Sequence, residues 1–324
     1  MTRQSSKTST GGQVVAEQND FVALDGVLFF PLTPFDNGLE LDEKALADHI
    51  DRGVGAGPGA VFAACGTGEF HALSPDEHRT VVSTAVETTA GRVPVFAGAG
   101  GPLPLAIEQV RAAAQAGADG ILLLPPYLVE TPPAGLVTYC SAVAAAADLP
   151  VIVYHRNNAV FDPQSAAQLV DIPNVIGLKD GVGDLDLLTR IIAAVRARAG
   201  NRRFDFFNGL PTAELTAPAY YGMGVRLYSS AAFCFAPEIS HAFYRALVAD
   251  DAVAVQRLVS EFFVPLVTLR RKVPGYAVSL VKAAARLQGQ QVGGVRPPLV
   301  DPSREHLDEL ERIVATGLVL AAAP

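Results

Sequence analysis

The sequence predicts a (β/α)8 barrel followed by a helical C-terminal region. Eight short apolar runs alternate with longer, alanine-rich stretches that have the composition of helices. The runs are apolar throughout, which is typical of parallel strands that are covered on both faces. After residue 236 the strand-like runs stop. Eight strand–helix units in succession favour a closed barrel over an open sheet.

The helices between the predicted strands begin with recognisable signals. Ser74 is followed by proline and two acids, the pattern of an N-cap and a first helical turn, and Asp162 begins a similar segment. A nucleotide-binding open sheet would carry a glycine-rich turn after its first strand, whereas residues 31–34 read Pro-Leu-Thr-Pro here. The predicted strands cover residues 27–32, 60–64, 93–97, 120–124, 151–154, 175–179, 204–208 and 225–229.

The chain divides into three parts by pattern. We expect a flexible N-terminal extension over residues 1–20, the barrel over residues 21–236 and the helical region over residues 237–324. The extension is polar and lacks the apolar segment of a secretory signal. The predicted C-terminal helices cover residues 237–248, 252–268, 275–287 and 303–320.

Composition and charge limit the classes of partner. Of the 324 residues, 50% are hydrophobic and 18% are charged, which is enough material for a large core. The net charge of -8 argues against nucleic acid or an anionic membrane surface as a partner. No apolar run reaches the roughly 18 residues that cross a bilayer. Three widely spaced cysteines without a C-x-x-C motif indicate free thiols and a cytoplasmic protein.

Polar residues follow several of the predicted strands. In a parallel barrel the active site lies at the carboxyl ends of the strands, so these residues are expected to meet at one mouth. They are Gly66, Thr67, Gly68 and Glu69 after the second strand, Tyr154, His155, Arg156, Asn157 and Asn158 at the fifth, Lys179 and Asp180 at the sixth, Asn208 and Gly209 at the seventh, and Ser229 and Ser230 at the eighth.

Lys179 is the strongest catalytic candidate. It ends an apolar strand, so its amine should be desolvated, and a desolvated amine loses its proton more readily and attacks carbonyls. A lysine at a strand end more commonly extends to the solvent at the rim. Tyr154 on the neighbouring strand favours the catalytic reading, since a phenol can move protons beside an imine, although alone it could be a core aromatic residue.

The glycine-rich segment after the second strand is a candidate anion site. Gly66 and Gly68 expose backbone N–H groups and Thr67 adds a hydroxyl, which together suit a carboxylate; the same residues could form a plain turn. Glu69 and His71 are too few to indicate a metal, so neither a metal nor a cofactor is predicted. The isolated histidines are expected at helix surfaces or caps; they are His49, His78, His241 and His306.

These motifs carry a family resemblance. The series Gly66-Thr67-Gly68-Glu69, Pro125-Pro126-Tyr127, Tyr154 and Gly177-Leu178-Lys179-Asp180 resembles the dihydrodipicolinate synthase/N-acetylneuraminate lyase superfamily over about residues 26–315. The resemblance implies a barrel enzyme that binds a 2-keto acid as a Schiff base. It also implies that Lys179 forms the Schiff base, that Tyr154 relays protons and that Gly66 and Thr67 bind the carboxylate.

A narrower group within the superfamily matches better. Seven segments, among them residues 66–70, 122–128, 179–184 and 209–214, resemble the 5-dehydro-4-deoxyglucarate dehydratases. This resemblance implies conversion of a keto-aldarate to 2,5-dioxopentanoate, water and carbon dioxide, with no cofactor. The expected substrate-binding residues are Gly66, Thr67, Gly68, Arg156, Asn158, Gly209, Ser229 and Ser230.

Departures from the superfamily pattern leave alternatives open. The synthases usually carry a second threonine, a second tyrosine and an arginine where this chain has Gly66, Leu128 and Ala159, which counts against an aldol addition. Cys65, His155 and Cys234 depart from the dehydratase pattern. The rival functions are another Schiff-base lyase or aldolase and a non-catalytic barrel that binds a keto acid. The resemblance suggests a homotetramer or homodimer.

Overall fold

Eight parallel strands form a closed barrel in which each strand pairs with the next and β8 pairs with β1. The computed structural model describes residues 24–126 and 129–322, so the expected extension and the substitution at Leu128 lie outside the described residues. The predicted fold class is confirmed. The strands are β1 Leu28–Phe29, β2 Ala60–Ala63, β3 Val95–Ala99, β4 Gly120–Leu123, β5 Val151–His155, β6 Val175–Asp180, β7 Asp205–Asn208 and β8 Leu227–Ser230.

Helices follow the strands and cover the outside of the barrel. The capping signals predicted before two of them are present: the side chains of Ser74 and Asp162 each accept a hydrogen bond from the backbone three residues later. The helices are α1 Glu43–Gly55, α2 Pro75–Thr89, α3 Leu103–Ala116, α4 Pro133–Ala144, α5 Pro163–Gln168, α6 Leu185–Ala199 and α7 Ala217–Gly222.

Aromatic rings fill the inside of the barrel below its mouth. The ring of Phe62 stacks on Phe30 with centroids 4.6 Å apart and on Phe96 with centroids 4.9 Å apart. Leu122 and Ile152 belong to the same inner cluster. The lower interior of the barrel is therefore packed, and in barrels of this kind ligands bind at the carboxyl ends of the strands.

The helical region after β8 is also confirmed. It comprises α8 Pro237–Val248, α9 Ala252–Leu258, α10 Val264–Arg270, α11 Tyr276–Leu287 and α12 Arg304–Ala322. A π-helical turn, Val259–Phe263, joins α9 to α10 in one continuous helix. The helix α12 packs against α8, α10 and α11 and holds these helices together.

One helix, from Ala252 to Arg270, bears on the expectation that no apolar segment is long enough to cross a bilayer. It has 19 residues and passes that test by length and composition. Core helices of soluble proteins can pass it too, and 33% of the apolar window of this helix is buried, including Phe262 and Phe263. The sequence prediction concerned an uninterrupted apolar run, and Arg257 and Glu261 interrupt this helix with an ion pair.

Candidate active site

Lys179 lies inside the mouth of the barrel. The register of β5 and β6 places Tyr154 opposite Lys179, while Phe207 of β7 lies on the other side. The Lys179 Nζ atom is 3.9 Å from the centroid of the Phe30 ring and 4.7 Å from that of Tyr154. Only 5% of Lys179 is exposed. The amine thus faces two aromatic rings, and the structure confirms the burial predicted from the strand.

Burial sets the charge state of this amine. Desolvation lowers the pKa of Lys179 to about 7; the Cys65 thiol opposes this shift, and the Arg156 guanidinium adds to it. No carboxylate among the described residues forms an ion pair with Lys179. A large fraction of the amine is therefore neutral near neutral pH and can act as a nucleophile.

Two glycines make room for these side chains. A Cβ atom on Gly209 would lie 2.6 Å from both Cγ and Cε of Lys179. A Cβ atom on Gly181 would lie 2.7 Å from Cε2 of Tyr154. Such distances are well below van der Waals contact. The bare backbone at positions 181 and 209 therefore lets the lysine and the tyrosine occupy the mouth.

Tyr154 is held by hydrogen bonds at its hydroxyl. The hydroxyl donates to the Gly209 carbonyl at 2.7 Å and accepts from a guanidinium nitrogen of Arg156 at 3.1 Å. Burial raises the pKa of Tyr154, although Arg156 opposes this effect. The side chain is therefore a protonated phenol that can donate a proton to a group at the mouth.

Residues 66–68 form a loop directly after β2, which we call the 66–68 loop. Residues in the left-handed conformation flank it, Ala64 at φ 51° and Glu69 at φ 55°. The Thr33 hydroxyl donates to the Gly68 carbonyl at 2.7 Å. Among the described residues, no acceptor is hydrogen-bonded to the three N–H groups of the loop. These N–H groups are thus available to an anion.

Behind the strands, a buried pair fixes the ends of β5 and β6. Asp180 accepts from the Val182 N–H at 3.0 Å and from the Tyr220 hydroxyl. His155 accepts at Nδ1 from the Phe161 N–H at 3.0 Å, which places its proton on Nε2, 3.8 Å from Asp180. Burial lowers the pKa of His155, although Asp180 opposes the shift, so the ring is neutral. His155, one of the departures from the dehydratase pattern, therefore stabilises the strand ends and does not face the mouth.

Arg156 and Asn158 lie on the short loop after β5. The Arg156 guanidinium carbon is 5.6 Å from the centroid of the Tyr154 ring, so its charge lies beside the candidate proton donor. The Asn158 amide donates to the carbonyls of Pro126 at 2.6 Å and Val129 at 2.5 Å. These bonds occupy the amide nitrogen of Asn158 and tie the loop after β4 to the loop after β5.

The two serines at the end of β8 face in opposite directions. Leu227 belongs to the inner cluster, and because side chains alternate along a strand, Ser229 also faces the mouth, where it is half-buried. Ser230 faces outward and is fully buried; its hydroxyl donates to Glu214 at 2.5 Å and is 2.8 Å from the Ser240 hydroxyl. The expectation that Ser230 contacts a substrate therefore does not fit this geometry.

Some features of the site had no clear sequence signal. Phe30 follows β1 and covers Lys179, but nothing distinguishes it from the other core phenylalanines. Glu69 forms a buried ion pair with Lys282, and the two residues are far apart in the sequence. The prediction that His49 and His78 lie at helix surfaces is wrong, since both rings are buried and bond backbone groups of the barrel.

The fold and the site define a class of protein: a (β/α)8 barrel with a buried, low-pKa lysine beside a tyrosine, and a loop at the end of the second strand whose N–H groups have no hydrogen-bond acceptor among the described residues. Comparison with known proteins gives the family. The model of the dihydrodipicolinate synthetase family matches residues 23–316. The chain belongs to this family.

Similar proteins extend across almost the whole chain. A probable 5-dehydro-4-deoxyglucarate dehydratase 1 from Streptomyces coelicolor is 55% identical over 91% of this chain and 93% of its own length. A probable 5-dehydro-4-deoxyglucarate dehydratase from Streptomyces griseus is 54% identical over 92% of this chain and 93% of its own. The crystal structure of dihydrodipicolinate synthase from Oceanobacillus iheyensis has a TM-score of 0.83 and 27% identity, over 90% of this chain and 96% of that one.

Proposed function

We propose that the protein is a 5-dehydro-4-deoxyglucarate dehydratase that works through a Schiff base on Lys179. The observation that carries the proposal is the buried amine of Lys179, which has a pKa of about 7 and lies beside Tyr154. The two Streptomyces relatives support the substrate class, because they carry that activity in their names and align over nine-tenths of the chain.

The mouth of the barrel suits a dicarboxylate with a ketone next to one end. The free N–H groups of the 66–68 loop and the Thr67 hydroxyl would bind the carboxylate beside the ketone. Arg156 and Ser229 would bind the hydroxyls and the far carboxylate. Arg156 lies beside Tyr154 at the mouth, and Ser229 lies on the inner face of β8. Asn158 would act mainly by fixing the loop that carries Arg156.

The first steps follow from imine chemistry. The Lys179 amine adds to the C2 ketone, and loss of water gives an iminium. The cationic nitrogen acidifies C3, and loss of one C3 proton gives an enamine. The enamine electrons then expel the C4 hydroxyl, which leaves as water after accepting a proton. Tyr154, whose pKa is raised by burial, would supply that proton.

Decarboxylation uses the same nitrogen. The conjugated iminium now extends to C4, so the electrons of the C5–C6 bond can flow into it as carbon dioxide leaves. Loss of carbon dioxide leaves a dienamine in which C5 carries its hydroxyl as an enol. Protonation at C3 and C4 with loss of the C5 hydroxyl proton gives the aldehyde, and hydrolysis of the iminium then frees 2,5-dioxopentanoate and restores the amine. One substrate thus gives one dioxo acid, one water and one carbon dioxide, and a single lysine serves both steps.

The products and the trapped lysine test the proposal together. Purified protein should release carbon dioxide and 2,5-dioxopentanoate from the keto-aldarate, as measured by mass spectrometry. Borohydride added during turnover should fix an adduct on Lys179. Lys179→Ala should abolish both signals, whereas Lys44→Ala should change neither, because Lys44 is exposed on α1 and forms its ion pair with Asp48 on the same helix.

Other products would identify the rival functions. Pyruvate and an aldehyde without carbon dioxide would identify an aldolase of the same family. Binding of the keto acid without any product would identify a non-catalytic barrel. A borohydride adduct on a lysine other than Lys179 would refute the assigned mechanism.

The oligomeric state and the cellular location of the protein are part of the same proposal. We infer a homo-oligomer, either a dimer or a tetramer, and support comes from exposed apolar side chains such as Val253 on α9 and Val319 on α12. Light scattering after size-exclusion chromatography tests this inference. We also infer a cytoplasmic enzyme whose partner is the small keto-aldarate, and cell fractionation tests the location.

A further inference from the structure

A buried ion pair lies directly behind the 66–68 loop. Glu69 is the next residue after the loop, and its Oε1 atom is 2.7 Å from Nζ of Lys282. Both side chains are 0% exposed. The Glu69 backbone adopts the left-handed conformation at φ 55°, which is uncommon for a residue other than glycine. Its N–H donates to the Gly66 carbonyl at 3.2 Å, so Glu69 closes the turn that the 66–68 loop makes.

The helical C-terminal region provides the partners of Glu69. Lys282 is in α11, and its Nζ also donates to the Gly294 carbonyl at 2.7 Å and lies 4.1 Å from the centroid of the Phe35 ring. The second carboxylate oxygen of Glu69 accepts from the Arg296 N–H at 3.1 Å. Both charged groups are therefore held from several directions.

A buried ion pair is weak evidence for a stabilising role. Removing two charges from water costs about as much as their attraction returns, and apolar replacements are often as stable. Burial lowers the pKa of Lys282, which reflects this cost, although Glu69 opposes the shift. A strained backbone conformation persists only where its surroundings fix it, and here the fixed residue adjoins the anion loop. Orientation of the loop is the better account of the pair.

We propose that Glu69 and Lys282 are positioning residues that hold the N–H groups of the 66–68 loop toward the carboxylate of the bound keto acid. This inference rests on the proposed function, because it assigns the loop to that carboxylate. Neither side chain reaches the mouth, so both act through the backbone of the loop.

Borohydride trapping with two small ketones separates this role from a general effect on folding. Pyruvate has the carboxylate that the loop would bind, whereas acetone has none. In Glu69→Gln and in the double variant Glu69→Gln/Lys282→Met, half-saturation of trapping by pyruvate should require about 10- to 100-fold more ligand, the equivalent of one weakened charge-assisted hydrogen bond. Trapping by acetone should stay within about twofold of wild type. Lys272→Ala, which breaks the exposed Lys272–Glu309 pair, is the matched control and should behave as wild type with both ketones.

The outcomes distinguish the two proposals. If Glu69→Gln fails to fold, the double variant tests the positioning role instead, because it removes both charges and leaves no buried charge without a partner. A folded variant that binds pyruvate as tightly as wild type would overturn the positioning role, as would an equal loss for acetone. Failure of the wild-type protein to trap either ketone or to release carbon dioxide would instead refute the proposed function.

Discussion

Replacement of Gly209 by alanine is the sharpest test of how the mouth accommodates its lysine. The added Cβ would lie 2.6 Å from two carbons of Lys179 and 2.9 Å from the Asp180 carbonyl. Carbon atoms in contact are normally ~3.5–4.0 Å apart, so the side chain must move by about 1 Å. A misplacement of that size costs roughly 100-fold in rate, the equivalent of about 2.7 kcal/mol in the barrier. Crowding should also lower the free energy of unfolding by about 1–3 kcal/mol.

The assay compares kcat/KM for carbon dioxide release with the yield of the borohydride adduct on Lys179. Gly222→Ala is the matched control: Gly222 ends α7, and a Cβ there meets nothing within 4 Å. That variant should keep full activity. If folded Gly209→Ala keeps an activity within about threefold of wild type, contact with position 209 does not determine the position of the Lys179 amine.

Four further predictions concern the charges and the phenol. Since the pKa of Lys179 is about 7, trapping by pyruvate should accelerate as the pH rises through 7 and then level off. The folded protein binds fewer protons than the unfolded chain between that value and the usual ~10.4, so the free energy of unfolding should rise with pH in this window, and Lys179→Met should remove the rise. Tyr154→Phe should lower kcat by about 10²- to 10⁴-fold with a smaller change in KM, and an unchanged kcat would exclude Tyr154 as the proton donor. Arg296 lowers the pKa of Glu77 to about 2, so stability should fall as the pH drops from about 4 toward 2, and thermal unfolding of Arg296→Gln should show a weaker dependence.

The sequence was sufficient to predict the barrel and the buried lysine at its mouth. Eight apolar runs predicted eight strands, and a polar residue at the end of such a run must lie near the mouth whatever the detailed register. Lys179 and Tyr154 were identified in this way, and the register of β5 and β6 places them side by side. The roles assigned to them stay predictions until the trapping experiment is done.

Finer placement depends on register and on distant contacts. Ser229 and Ser230 are adjacent and chemically identical, so only the alternation of the folded strand decides which one faces the mouth. Glu69 carried a different signal, because beside His71 it resembled half of a metal site. Its actual partner, Lys282, is on a helix that no local pattern connects to β2.

The contacts of Glu69 also bear on the order of events during synthesis. The Arg296 N–H that binds this carboxylate belongs to a residue 227 positions later in the chain. Because ribosomes release the N-terminal part first, all eight strands can emerge before α11 and the segment after it exist to engage Glu69. We therefore expect a nascent chain to close its sheet early and to gain affinity for an anionic ligand only when its last fifth has emerged.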